Sequence, residues 1–326
     1  MIMIAIITTT EDLTSDIVIS WLENSKTPYV RINSNEIIEN GNLEFILSNS
    51  KSFIRIKKFE IEKVKVVWFR RWDTFSTFED FKSKKPELKE SLKNYVWREY
   101  YEMSRLFFRY IYSNAKWIDI PDSISKSFSK INQLEIAKEM GMTIPYTEIV
   151  SSKSRLIQIM KKMEIITKPI SDLSNLLYEN NLFLLYTTKI TESDLEKMPD
   201  FFFPILIQEN IVKTFEIRSF LLENKIYSMA IFSQRNKKTA NDFRQYDFSN
   251  ANRCVPYKLS KDFEQKIFNF AKNVSLTTGS FDFIYDIKKR LVFLEVNPSG
   301  QFGMVSQPCN YNIEKIVANE LAKMLT

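Results

Sequence analysis

Two carboxylates and an amide near the end of the chain are spaced so that they could hold a cation. Residues 281–296 carry two β-rich runs around the polar tetrad IKKR, which predicts a hairpin. A two-residue turn at Lys288–Lys289 places Asp282 opposite Glu295, and Asn297 projects from the same face as Glu295 because side chains alternate along a strand. Directly opposed carboxylates repel each other unless they lie at the solvent edge or around a cation. The alternative is a solvated hairpin whose two acids are unrelated.

The ligand types indicate which cation this would be. Asp, Glu and Asn supply only oxygen atoms, and oxygen ligands favour a hard cation such as Mg²⁺. Mg²⁺ seldom sits in a cage made of protein alone and normally bridges to substrate phosphates. The trio therefore predicts a site for a nucleotide triphosphate.

Two lysines upstream are candidates for binding its phosphates. Lys168 lies within the apolar run EIITKPI, where a cation either extends to the surface or faces an anion. Lys130 precedes the predicted helix INQLEIA and carries a weaker signal. For both lysines a surface position is the alternative.

The run ILIQENI and the strand that follows it suit the nucleoside end of such a ligand. Backbone groups could bond an adenine edge and a carboxylate could hold a ribose, and the candidates are Gln208, Glu209, Asn210, Ile211 and Glu216. Arg218 lies on the same polar strand face as Glu216. Arg244 lies in a polar loop, where its guanidinium could clamp phosphate or acyl-phosphate oxygens.

The scarcity of two residue types excludes whole classes of mechanism. The chain of 326 residues has no histidine and only 5 glycines. Without histidine there is no Ser-His-Asp or Cys-His system and no His-ligated zinc. The glycines also cannot form a dinucleotide fingerprint or a Walker-type loop, which excludes a Rossmann oxidoreductase.

Charge and cysteine content favour a cytoplasmic protein that does not bind nucleic acid, with phosphates or an acidic peptide as possible anionic ligands. Lys and Arg number 46 against 40 Asp and Glu, a net charge of +6, and no basic stripe indicates nucleic-acid binding. No apolar run approaches the roughly 20 residues of a membrane span, and the first residues do not resemble a signal peptide. Cys254 and Cys309 lie far apart, which suits a reducing cytosol.

The elements that must position these residues are predicted to form three domains with bounds 1–122, 123–203 and 204–326. The first is α/β, with strands at 2–8, 28–33 and 64–70 and a long helix after Pro86. In the second, helices at 130–140 and 153–163 alternate with strands at 143–150, 164–170 and 182–190. The third is rich in antiparallel strands from Pro204 onward, with helices at 261–276 and 310–324.

In their order along the chain, these residues resemble the pattern of the ATP-grasp superfamily of carboxylate ligases. The E-x-N strand end at Glu295, with Asp282 upstream, is the most specific element. A closer resemblance is to the graspetide (microviridin-type) synthetases, in their grasp-with-spasm branch, which are maturases of ribosomally made peptides. VVWFRRW at 66–72 is similar to the Trp-x-Arg-Arg motif of that group, and the stretches 114–149, 255–260 and 293–302 also match.

The resemblance implies an α/β (α+β) ATP-grasp fold made of an N-terminal pre-ATP-grasp domain, a central domain and a C-terminal antiparallel-sheet domain. It implies an ADP-forming ligase that activates Asp or Glu side chains of a leader–core precursor peptide and closes ester or amide rings. The cofactors implied are ATP with one or two Mg²⁺, or Mn²⁺ in its place. Asp282, Glu295 and Asn297 would hold the metal, Lys130 and Lys168 the phosphates, and Arg218 or Arg244 the acyl phosphate.

Some expectations remain open between alternatives. Arg70 and Arg71 would either pair with carboxylates of the peptide or form interdomain ion pairs. Residues 169–207 contain no glycine, so the phosphates would be covered by Ser171, Ser174, Thr187, Thr188 and backbone amides, or by a loop that orders with substrate. Other functions are a ligase that adds amino acids to a protein tail or metabolite, and a regulatory module that only binds ATP. A homodimer is compatible with the sequence.

Overall fold

A computed structural model of the chain describes residues 1–34, 43–50, 52–56, 59–72, 83–112, 115–121, 129–170, 175–178, 181–184, 186–235 and 249–326. The chain divides into two compact units. The first comprises Met1–Pro121 together with Asn312–Thr326, and the second comprises Asp122–Tyr311.

The elements of the first unit, up to Pro121, are β1 (Met3–Thr8), α1 (Leu13–Asn24), β2 (Tyr29–Asn33), β3 (Leu43–Leu47), β4 (Ser52–Ile56), β5 (Phe59–Glu60), β6 (Val64–Phe69), α2 (Glu90–Tyr112) and β7 (Lys116–Ile118). Those of the second unit are α3 (Lys130–Glu139), β8 (Thr147–Ser152), α4 (Lys153–Met160), β9 (Ile165–Lys168), β10 (Asn175–Tyr178), β11 (Asn181–Leu184), β12 (Thr188–Lys189), α5 (Glu192–Lys197), β13 (Phe201–Glu209), β14 (Lys213–Leu222), β15 (Lys225–Phe232), β16 (Arg253–Tyr257), α6 (Lys261–Val274), β17 (Thr278–Asp286), β18 (Leu291–Pro298) and α7 (Gly303–Cys309). The last helix, α8 (Ile313–Leu325), returns to the first unit.

The first unit is built on a parallel sheet with the strand order β2-β1-β6-β7. Apolar residues of β1 from Ile4 to Ile7 and those of β6 are buried, as their continuous apolar runs require for a sheet covered on both faces. The antiparallel sheet β3-β4-β5 of the same unit was not predicted. Its strands are short, and short apolar runs carry little periodic signal.

The last helix differs from its predicted place. The sequence assigned it to the third domain, but α8 packs against α1 and the parallel sheet. Its apolar stripe of Ile313, Val317 and Leu321 is buried, and Lys315 lies 4.9 Å from the ring centroid of Trp21 on α1. A helix with one apolar face must bury that face, and nothing in the sequence states against which sheet. The division of the second unit into two domains stays a prediction.

The second unit contains two larger antiparallel sheets. One has the strand order β12-β9-β13-β8, and its core is formed with α4 by Val150, Leu156, Ile159, Ile165, Ile190 and Ile207. The other has the order β16-β15-β14-β17-β18. Phe281 and Phe283 of β17 face Phe270 and Phe263 of α6, so Asp282, between them, lies on the opposite face of this sheet.

The hairpin between β17 and β18 confirms the pairing of Asp282 with Glu295 but not the predicted turn. The backbone N–H of Asp286 donates to the backbone oxygen of Arg290 at 3.0 Å, so the loop proper contains residues 287–289, with Lys289 in the left-handed region at φ 62°. The Asp286 carboxylate closes it by accepting from the backbone N–H and from Nε of Arg290, both at 2.8 Å. The longer loop shifts the register by one residue, and a bulge at Leu294 shifts it back before Glu295.

Other boundaries differ by a few residues. β8 begins at Thr147 rather than at 143, and α2 begins at Glu90, four residues after Pro86. Strand β16 and the short helix α7 were not predicted. Among the described residues, no helix has the length and apolar character needed to cross a membrane.

A buried ion pair lies at the carboxyl end of the parallel sheet. Arg70, directly after β6, is 1% exposed, and its Nε lies 3.5 Å from Oδ2 of Asp12. The same oxygen accepts from Thr8 at 2.8 Å and from Ser15 at 2.5 Å. Burial raises the pKa of Asp12, but Arg70 and the two hydroxyls lower it by more, so the net pKa is below its usual value of 3.8.

Replacing Asp12→Asn should therefore destabilise the protein at neutral pH, by about 3 kcal/mol, because it removes a carboxylate charge that lies against a buried guanidinium. A carboxyl with a lowered pKa stabilises the fold above pH 3.8 and loses this effect as the pH falls through its folded-state pKa. The stability gap between wild type and variant should narrow in acid, as measured by urea unfolding at a series of pH values.

Asp16→Asn, in the first turn of the helix that Asp12 precedes, is the matched control, because it breaks a partly exposed pair with Arg31. Its effect should be at most about 1 kcal/mol. An Asp12→Asn gap that is equally small, or that stays constant in acid, would contradict the role assigned to the buried pair.

Candidate functional site

A row of charged side chains crosses three neighbouring strands on one face of the five-stranded sheet. Arg218 of β14 pairs in register with Asp282 of β17, which pairs with Glu295 of β18. Nη1 of Arg218 lies 3.3 Å from Oδ2 and 3.4 Å from Oδ1 of Asp282. Both side chains are largely buried, so this pair acts where solvent screening is weak.

Asn297 joins this row from the end of β18. Its Nδ2 donates to Oδ2 of Asp282 at 3.2 Å, which leaves the amide oxygen of Asn297 for another partner. Gly300 follows closely, and a Cβ there would lie 2.5 Å from Oγ of Ser280 and 2.8 Å from the backbone oxygen of Asn297. Glycine at 300 thus allows the chain to pass directly over the strand end that carries Asn297.

A lysine from the other sheet of the second unit reaches the same site. Nζ of Lys168, at the end of β9, lies 3.9 Å from Oε2 of Glu295, and both side chains are largely buried. Lys168 therefore faces an anionic group, the carboxylate of Glu295, rather than the surface. Lys130, at the start of α3, is 8% exposed and donates from Nζ to the backbone oxygen of Pro169 at 3.3 Å.

The donor set fits a hard divalent cation that is shared with a phosphate ligand. Asp282 and Glu295 are opposed carboxylates whose side chains are largely buried, and the cations Arg218 and Lys168 offset their repulsion. The site has two acids, and among the described residues no cluster of three or more His, Cys, Asp or Glu side chains could hold a metal ion. A cation here would therefore need further ligands. Two carboxylates and an amide oxygen are what Mg²⁺ uses when phosphates supply the remaining ligands.

The predicted nucleoside residues lie at the end of β13 and are partly engaged by the protein. Gln208 is buried and donates from Nε2 to Oγ1 of Thr147 at 2.9 Å. The backbone N–H groups of Glu209 and Asn210 donate to the carbonyls of Tyr146 and Glu164, both at 2.9 Å. Ile211, the next residue, is partly buried.

Glu216 lies on the same strand face as Arg218, two residues earlier. It forms an ion pair with Lys213, and both side chains are 7% exposed. The sequence did not single out Lys213. Lys213 lies three residues before Glu216, and in a regular strand residues three apart project from opposite faces. The spacing therefore did not predict an ion pair. The register irregularity between Lys213 and Phe215 brings the two together.

Arg70 is not placed to meet a peptide, because it lies in the interior of the first unit. Its guanidinium lies beside Asp12 and 5.2 Å from the ring centroid of Trp68. The ion-pair alternative fits better, although the pair lies within one unit rather than between domains. Arg71 is partly buried, and its contact with a peptide stays a prediction.

Several candidates for contacting phosphate lie outside the described residues: Arg244, Ser171 and Ser174. Within the glycine-free segment, β10 and β11 pair as an antiparallel hairpin. Thr187 is partly buried and Thr188 is exposed, with its hydroxyl 3.2 Å from the backbone oxygen of Tyr186. The way in which this segment covers a phosphate stays a prediction.

No protein-family model matches the chain, and no curated protein matches its sequence. Solved structures do match over nearly the full length. A RiPP-associated ATP-grasp ligase of Chryseobacterium gregarium, in complex with ADP and a leader and core peptide, matches with TM-score 0.82 and 22% identity, covering 100% of this chain and 96% of that chain. Macrocyclase MdnC of Microcystis aeruginosa, bound with precursor peptide MdnA, matches with TM-score 0.79 and 22% identity, covering 98% and 99%.

A third match is the ATP-grasp ligase PsnB complexed with minimal precursor, Mg and ADP. Its TM-score is 0.76 at 16% identity, with 99% of this chain and 97% of that chain covered. This chain therefore has the fold of the ATP-grasp ligases, which confirms the predicted fold class.

The pairing of Arg218 with Asp282 should be measurable as a coupling. Arg218→Met alone should destabilise the protein by about 3–5 kcal/mol, because it removes a cation that offsets two opposed and largely buried carboxylates. Asp282→Asn alone should cost less, because it breaks the same ion pair but also relieves the repulsion with Glu295. The double variant should lose less than the sum of the two, as measured by urea unfolding at neutral pH. Additive losses would show that the two side chains do not interact.

Proposed function

We propose that this protein is an ATP-dependent ligase that joins carboxylate side chains of a ribosomally made precursor peptide to hydroxyl or amine groups of the same peptide. The observation that carries the proposal is the row Arg218–Asp282–Glu295, completed by Asn297 and Lys168. It combines oxygen ligands for a cation with two fixed cationic groups, which is what phosphoryl transfer from ATP requires.

The proposed reaction has two steps. An Asp or Glu carboxylate oxygen of the peptide attacks the γ-phosphorus of ATP, which gives an acyl phosphate and ADP. A Ser or Thr hydroxyl or a Lys amine then attacks the acyl carbon, and phosphate leaves with the bond electrons while the nucleophile gives up a proton. The product is a ring closed by an ester or an amide.

In the first step, the residues of the site orient and neutralise the triphosphate. Asp282, Glu295 and Asn297 would hold Mg²⁺, which when bound neutralises phosphate charge. Lys168, already facing the site, would shift from Glu295 toward phosphate oxygens, and Lys130 would bind from the start of α3. These groups position the reactants in line, and little general acid–base chemistry is needed, so the absence of histidine is no obstacle.

In the second step, a cationic group must stabilise the acyl phosphate and the tetrahedral oxyanion. Arg218 suits this role because Asp282 holds its guanidinium in the site through Nη1. Its remaining N–H groups would meet the substrate. Arg244 is the other candidate for this role.

The nucleoside would lie at the end of β13. Since the N–H groups of Glu209 and Asn210 bond within the protein, the adenine edge would meet Ile211 and the carbonyl groups of this segment, beside the amide of Gln208. Glu216, which forms an ion pair with Lys213, would hold the ribose.

A peptide substrate is favoured by the full-length match to ligases that bind precursor peptides. A ligase that adds amino acids to a protein tail or a metabolite would use the same charged row and differ in its acceptor. A regulatory module that only binds ATP would need the same oxygen ligands for a cation, and peptide-dependent ADP release separates it from a ligase. The protein would act in the cytoplasm, as a monomer or a homodimer.

Glu295→Gln should leave a folded protein that no longer consumes ATP in the presence of its peptide. The substitution keeps the shape of the side chain but removes one of the two carboxylate charges that face the cation. Loss of a group that stabilises charge in such a site reduces the rate by at least about 100-fold. An assay of Mg²⁺-dependent ADP release measures this.

Glu135→Gln serves as the matched control, because Glu135 is exposed on α3. It should turn over at the wild-type rate. If Glu295→Gln retains wild-type turnover while remaining folded, the assignment of the cation site to this strand pair is wrong.

A further inference from the structure

Strand β18, which carries Glu295 and Asn297, is an edge strand of its sheet. An edge strand presents backbone N–H and C=O groups that the sheet does not use. Val296, between the two site residues, is 2% exposed, so both of its backbone groups need partners inside the protein.

The side chain of Gln133 on α3 supplies both partners. Its Oε1 accepts from the backbone N–H of Val296 at 2.9 Å, and its Nε2 donates to the backbone oxygen of Val296 at 2.9 Å. Gln133 is 3% exposed. One carboxamide thus imitates a neighbouring strand at a single residue, which only a side chain with both a donor and an acceptor can do.

A second contact holds the same edge on the other side of the bulge. The backbone N–H of Phe293 donates to the backbone oxygen of Thr143 at 2.8 Å. The bulge at Leu294 therefore lies between two fixed points, Phe293 and Val296. A bulge bends a strand and interrupts its pairing. The two contacts therefore fix the face of the sheet from which Glu295 and Asn297 project after the bulge.

We propose that Gln133 is a positioning residue for the cation and phosphate site. It fixes Val296 and so sets the separation and direction of Glu295 and Asn297 relative to Asp282. Because α3 also begins with Lys130, the same helix ties the strand that carries the ligands to a lysine proposed to bind phosphate. This inference rests on the proposed function.

Gln133→Leu is the direct test, since leucine has a similar size but can make neither bond. Loss of a group that orients metal ligands typically lowers metal affinity by about 10–100-fold. The Mg²⁺ concentration needed for tight ADP binding should therefore rise by on the order of tenfold or more. Calorimetric titration of ADP at several Mg²⁺ concentrations measures this, and ADP binding without metal should stay unchanged. In the ligand-free protein, hydrogen exchange at the Val296 amide should become faster.

Ile136→Ala is the matched control, because it removes a buried side chain from the same helix and leaves both bonds between Gln133 and Val296 in place. It should lower the melting temperature but leave the Mg²⁺ dependence of ADP binding as in wild type. Gln133→Glu adds a rescue. A protonated glutamic acid side chain can both donate and accept, as glutamine does. In mild acid, ADP binding by this variant should therefore depend on Mg²⁺ as it does in wild type. As the carboxyl ionises, the variant should instead need more Mg²⁺ than wild type.

The inference is overturned if Gln133→Leu keeps the wild-type Mg²⁺ dependence, or if Ile136→Ala changes it equally. Should the leucine variant fail to fold, the glutamate variant at alkaline pH takes its place. If the wild-type protein itself shows no Mg²⁺-dependent binding of ADP, the proposed function fails and this inference fails with it. A normal wild type with an unaffected Gln133→Leu variant refutes the positioning role alone.

Discussion

The repulsion between Asp282 and Glu295 is the constraint on which the second unit depends. The two carboxylates are directly opposed on neighbouring strands and largely buried, an arrangement that is unfavourable by itself. Arg218 offsets it from one side within the sheet, and Lys168 offsets it from the other sheet. Two fixed cations and two opposed acids thus meet at one position, which is the arrangement on which the proposed cation site rests.

The surrounding structure can be understood as the means of keeping this row in place. The apolar face of the sheet, with Phe281 and Phe283 against α6, prevents β17 from turning its acid toward the core. The bulge at Leu294 restores the register that the three-residue loop would otherwise shift. Gly300 lets the chain cross over the strand end, and α3 supports its edge. A one-residue slip would move Glu295 and Asn297 to the other face.

The sequence predicted that Asp282 and Glu295 are opposed because alternation along strands is a local property, whereas the pairing of Arg218 with Asp282 was not predicted. Asp282 and Glu295 were paired correctly even though the predicted two-residue turn was wrong, because the extra loop residue and the bulge cancel. Contacts between distant parts of the chain could not be predicted. The carboxamide of Gln133 meets Val296 across 163 positions, α8 returns to the first unit, and Arg70 is buried against Asp12. Periodicity and composition do not encode such partners; only packing decides them.

Peptide modification is the measurement that tests the central proposal most directly. The protein is incubated with ATP, Mg²⁺ and a Thr/Asp/Glu-rich precursor peptide encoded beside its gene, and the peptide mass is followed. The proposal predicts that the mass falls by one water for each ring closed, with one ADP released per ring and no change when Glu295→Gln replaces the wild type. An unchanged peptide mass, or a gain that matches added amino acids, would contradict the proposal.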